Sequence, residues 1–111
     1  MSPNSLSPEA QQTVLLALRW WSDHWDWECP TLFGLELAEL NEVIASWPQV
    51  EKASSRNAAL AATGAMRELL LGGSAVSEQK LLVILGQSYE RALGVYSEVR
   101  AFASAILDGR A

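Results

Sequence analysis

Residues 77–109 read SEQKLLVILGQSYERALGVYSEVRAFASAILDG, and their spacing decides the fold class. Leu82, Leu85, Tyr89, Ala92, Tyr96, Val99, Ala103 and Ile106 recur at alternating intervals of three and four. This is the period of one helical face, sustained over about four heptads. Ser77-Glu78 suits a helix start and Asp108-Gly109 a stop, so the spacing predicts one helix over about 77–107. Gly86 and Gly94 weaken it by roughly 1 kcal/mol each relative to alanine, which marks them as points of close packing. Leu81, Ile84, Leu93, Val95, Phe102 and Leu107 broaden the apolar surface. The Tyr89/Tyr96 seam reads as core, with room left for a homodimer.

Three further helices follow upstream. Ser7-Pro8-Glu9 combines a capping hydroxyl, a first-turn proline and an acid at the positive end of the dipole. Val14, Leu18, Trp21 and Trp25 then share a face, which predicts a helix over about 8–27, ended by Cys29-Pro30 because proline drives its predecessor out of the α region. Residues 29–34 read as an apolar connector. Leu37, Leu40, Ile44 and Trp47 give a second helix over 35–46. The Ala-rich stretch up to Leu71 gives a third over about 50–71, its start open between Pro48 and Ser54 or Ser55, its end at Gly72-Gly73. Gly64, with Ala61 and Ala65, makes a thin face for close helix approach. Strand alternation and internal repeats are absent. The expectation is an all-α chain: a loose terminus over 1–6, then a single domain over 7–111 built as a four-helix bundle or a closely similar helical array.

Composition supports a core and narrows the function. Half of the 111 residues are hydrophobic and 19% are charged, which argues against disorder. No apolar run approaches the roughly 18 residues of a membrane span, and no basic segment followed by an apolar one opens the chain as a secretory signal. Cys29 is the only cysteine, so a disulfide scaffold is excluded. The net charge of −5 disfavours nucleic acid and anionic membrane as partners. The charge is lopsided: residues 1–47 hold seven acids against one strong base, Arg19, whereas 48–111 hold six acids and seven bases. All five tryptophans lie in the same acidic half.

The most unusual stretch is Trp20-Trp21-Ser22-Asp23-His24-Trp25-Asp26-Trp27-Glu28-Cys29. On one helix, Trp21 and Trp25 share the core face, while Trp20 and Trp27 form a second stripe roughly 100° away. Either both stripes are buried, or Trp20 and Trp27 lie partly exposed among Asp23, Asp26 and Glu28. The exposed arrangement suits capture of a basic partner, since tryptophan is enriched at interface hot spots. A cage for a cationic small molecule is its narrower form. Glu36, Glu39 and Glu42 stand at three-residue intervals, with no lysine or arginine between residues 20 and 51. They form either a solvated face or an acidic patch that steers a basic partner. Charge reversal at Glu39 and Glu42 is then expected to slow association and leave the melting temperature nearly unchanged.

Other chemistry finds less support. His24 and Glu28 have the i, i+4 spacing of two metal ligands, but one histidine and one cysteine fall short of a zinc or di-iron set. His24 reads instead as an exposed or interfacial residue. His24 and Cys29 point about 140° apart on a helix, and the chain carries no nucleophile elbow, phosphate loop or His-Glu-x-x-His. No enzyme activity and no cofactor are expected. In size and charge the chain is similar to small cytoplasmic bacterial immunity or antitoxin proteins, acidic single-domain binders that block a basic toxin. The resemblance implies a cytoplasmic inhibitor with a basic protein partner. The binding surface expected from the residues comprises Trp20, Asp23, His24, Asp26, Trp27, Glu28, Glu36, Glu39 and Glu42. The alternative is a homo-oligomeric structural or regulatory bundle.

Overall fold

Ser7 caps the first helix by accepting a hydrogen bond from the Ala10 N–H, and Pro8 and Glu9 occupy its first turn as expected. In the computed structural model, which describes residues 6–49, 55–72 and 76–108, six helices follow one another: α1 (Pro8–Asp23), α2 (Cys29–Phe33), α3 (Leu37–Ser46), α4 (Ser55–Leu70), α5 (Glu78–Leu85) and α6 (Tyr89–Leu107). Together they take 78% of the described residues, among which there are no strands. The all-helical class stands, with six helices where four are expected. The expected loose terminus falls outside the described residues except for Leu6, which is buried. The open start of the third predicted helix, residues 50–54, also lies outside them.

One expected helix is shortened, the expected connector after it is helical, and another expected helix is divided, each for local reasons. α1 stops at Asp23 rather than running to Trp27. The Asp26 Oδ1 accepts from the Glu28 N–H at 2.9 Å, an Asx turn that competes with helical continuation. Pro30 then opens a helix instead of closing one: it sits in the first turn of α2, where its missing N–H costs nothing. The 29–34 connector is therefore this short helix, ended by Gly34 at φ 72°. The predicted helix over 77–107 breaks at residues 86–88. Gly86 takes a left-handed φ of 69° and closes α5, and Ser88 accepts from the Arg91 N–H to start α6.

α4 is the hub. Ten of its sixteen residues are buried, half of them alanine, and it packs against α1, α2, α3 and most extensively α6. The Phe33 ring of α2 rests directly on Gly64, where a β-carbon would stand 2.8 Å from Cδ2. α1 contributes Ala10, Thr13, Val14, Ala17, Leu18 and Trp21 to the core. Two indole N–H groups tie helices together: Trp21 donates to the Ala65 carbonyl at 3.0 Å and Trp47 to the Gln11 carbonyl at 2.9 Å. Gln87, in the α5–α6 break, donates to Thr13 of α1 at 2.9 Å. The predicted seam of the last helix shifts across the break. Leu82 is exposed and Leu81 and Leu85 are buried; beyond it Val95 and Phe102 join Ala92, Val99 and Ala103 inside. The radius of gyration, 12.8 Å, is that of one compact unit of about this length.

Candidate functional site

The acidic, tryptophan-bearing corner is built where α1 ends and α2 begins. Because α1 stops at Asp23, Trp20 and Trp27 do not form a stripe on a common helix, and the five indoles separate by burial. Trp21 and Trp47 are buried, Trp20 and Trp25 are half-buried, and Trp27 is 85% exposed. Trp25 leaves the helix yet still reaches the core edge, its ring 5.2 Å from that of Phe33. Trp20 packs edge-on against Trp21 at 4.9 Å and stacks on the His24 ring at 4.1 Å. The Lys80 ammonium, from α5, lies 5.6 Å over the same indole. Trp20 is thus engaged within the fold, and Trp27 is the indole that projects into solvent.

The polar groups around Trp27 divide in the same way. Asp23, His24, Asp26 and Glu28 are all exposed. His24 Nδ1 lies 2.8 Å from the Trp20 carbonyl oxygen, so that nitrogen donates and the ring is held against Trp20. Asp26 spends one carboxylate oxygen on the turn, accepting from the Glu28 N–H and, at 3.4 Å, from the Cys29 thiol. Cys29 is fully buried, and burial pushes its thiol pKa up, with the carboxylates of Asp26 and Glu28 adding to the rise. A neutral, enclosed thiol paired with Asp26 and an imidazole stacked on Trp20 are differently partnered, and nothing brings them together as nucleophile and base.

The three glutamates of α3 play different parts. Glu36 and Glu39 form a reciprocal capping box, in which the Glu36 N–H donates to Glu39 Oε1 at 2.9 Å. Glu39 Oε2 also accepts from Asn57 of α4 at 3.4 Å. Asn41, two residues on, accepts instead from Ser22 at the end of α1 at 2.7 Å. Residues two apart point about 200° away from one another on a helix. The flank carrying Glu39, with Glu42 one turn beyond, therefore faces the α4 side, and the α1 end meets the other flank. Asp23, Asp26, Trp27 and Glu28 share the segment that joins α1 to α2, and Glu36, Glu39 and Glu42 lie along α3 and its cap. Since Glu39 caps α3 and holds Asn57, its charge reversal costs stability, contrary to the sequence expectation; Glu42, exposed, carries no such role.

Lys80 is the residue that sequence reasoning missed. It lies more than fifty positions from Trp20, and no local pattern announces their approach. The ion pairs among the described residues, Arg67–Glu68 and Arg91–Glu9, leave the corner carboxylates without a cationic partner. No group of three or more His, Cys, Asp or Glu among the described residues is placed to hold a metal ion. No described helix is long and apolar enough to cross a membrane. Neither a protein-family profile, nor a curated protein, nor a solved structure matches this chain.

Proposed function

We infer that this is a small non-catalytic binding protein that docks a basic protein through the corner formed by Asp23, Asp26, Trp27 and Glu28. The observation that carries the reading is the exposure of Trp27, 85%, on a turn ringed by carboxylates without cationic partners. Leaving an indole in water forgoes roughly 1.5–3 kcal/mol of burial, which a partner recovers on binding. The surrounding carboxylates speed encounter with a positive surface and select against acidic ones. His24 and the half-buried Trp20 support the corner from behind, and the Glu36–Glu42 edge extends the negative field. An inhibitor of immunity or antitoxin type, held in the cytoplasm against a basic toxin, is the form of binder that this size and charge suit.

The test is affinity capture from the cells of origin. The wild-type chain should retain one basic protein, released by salt. Trp27→Ser and Glu28→Lys should abolish retention while melting at the wild-type temperature. Unchanged retention by both variants defeats the reading. A second reading, self-association, is favoured by Leu82 (54% exposed) and Val83 (85% exposed), adjacent on α5. A dimer seen by sedimentation at tens of micromolar, and dispersed by Val83→Ser, supports it; a monomer removes it.

A further inference from the structure

Away from the acidic corner, α2, α4 and α6 enclose an open cleft of about 420 Å³ whose lining differs from the rest of the surface. Its walls include Leu32, Leu60 and Leu107, and two arginines are among its lining residues, Arg67 from α4 and Arg100 from α6. Among the described residues one carboxylate, Asp108, lines the cleft beside them and Glu68 pairs with Arg67, so Arg100 is the guanidinium there without a carboxylate partner. Arg67 is anchored, its Nε on Glu68 and its Nη2 on the Leu32 carbonyl at 2.7 Å. Arg100 is not anchored: its one contact among the described residues is with the Tyr96 ring, 5.9 Å from the guanidinium. Thr63 also lines the cleft, and its Oγ1 is shut off from solvent without a hydrogen-bond partner among the described residues.

We propose that this cleft binds a small organic monoanion, a carboxylate on a compact apolar body. The volume lies within the range of small-molecule sites. The apolar walls take the body of the ligand. Arg100 supplies the planar fork that matches a carboxylate, and Arg67, whose charge Glu68 offsets, supplies a guanidinium held in place by Glu68 and Leu32. A dianion is disfavoured, because Glu68 and Asp108 leave little net positive charge at the cleft. The lining residues are other than those of the acidic docking corner, and the ligand is of the opposite charge to the partner proposed there.

Benzoate and its neutral isostere benzamide serve as probes in a titration of the whole protein followed by amide NMR. Benzoate should shift the amides of residues 60–67 and 100–107 saturably, and benzamide should bind at least tenfold more weakly. Arg100→Gln, whose parent side chain is exposed, should melt as wild type and lose benzoate affinity at least tenfold. The proposal is overturned by the absence of saturable shifts in this cleft, by equal binding of the two probes, or by undiminished affinity in Arg100→Gln.

Discussion

Gly64 and Gly94 look alike in the sequence, each a glycine inside a helix, and the structure gives them opposite meanings. At Gly64 a β-carbon would strike the Phe33 ring, which is itself buried between the Trp21 and Trp25 rings. Over-packing of this kind costs about 1–3 kcal/mol, against a helix-propensity gain of roughly 1 kcal/mol. Gly64→Ala should therefore destabilise by about 1 kcal/mol, lowering the melting temperature by roughly 4–8 °C in a domain of this size. Gly94 has open space around its missing β-carbon, so Gly94→Ala should stabilise by about 0.5–1 kcal/mol. Two substitutions that stabilise equally would contradict the Phe33 contact. Cys29 adds a pH dependence. Its thiol titrates higher in the folded chain than in the unfolded one, so the unfolded chain loses its proton first. The stability it contributes is complete below about pH 8 and declines as the pH rises through the native value. Urea midpoints between about pH 7 and pH 10 should fall more steeply for wild type than for Cys29→Ala; parallel slopes would show that the thiol is not buried as described.

At the scale of elements, the decisive feature is the break between α5 and α6. Gly86 holds a left-handed conformation that an L-residue reaches at a cost of about 1 kcal/mol or more. Gly86→Ala should thus destabilise by about 1 kcal/mol, and Ser88→Ala by a similar amount through the lost cap. The sign is diagnostic. In a continuous helix over 77–107, Gly86→Ala would stabilise by roughly 1 kcal/mol, so equilibrium unfolding of this one variant distinguishes two architectures. The period of three and four was legible and the helices exist. The sequence spacing runs unbroken through residues 86–88 although the buried face shifts there, which is why spacing alone does not reveal a break. The stop-and-start signal, a glycine followed two residues later by a serine, stood at Gly86 and Ser88 within the apolar pattern.

For the molecule as a whole, the field of the N-terminal half outweighs that of the rest. Residues 1–47 hold seven acids and one strong base, and Arg91 reaches back from α6 to neutralise Glu9. The remaining carboxylates repel one another across a small surface. Screening with about 0.3 M sodium chloride should relieve this and raise the melting temperature by a few degrees. Glu28→Lys and Glu42→Lys should each reduce that salt dependence. A melting temperature that falls with added salt would mean that ion pairs outweigh repulsion.

Much of the candidate corner was also visible in the chain: four tryptophans and three acids within residues 20–28 stay neighbours however the segment folds. What the residues alone determined was set by local forces, namely the all-helical class, the caps at Ser7 and Ser77, and the acidic bias of the first half. Only the tertiary structure decided which indole is left in water, which flank of α3 faces α4, that Lys80 lies over Trp20, and that two arginines from separate helices line one cleft. Those outcomes depend on contacts between residues far apart in sequence, and on turns such as that of Asp26, where a side-chain hydrogen bond overrules a helical period that could otherwise have continued.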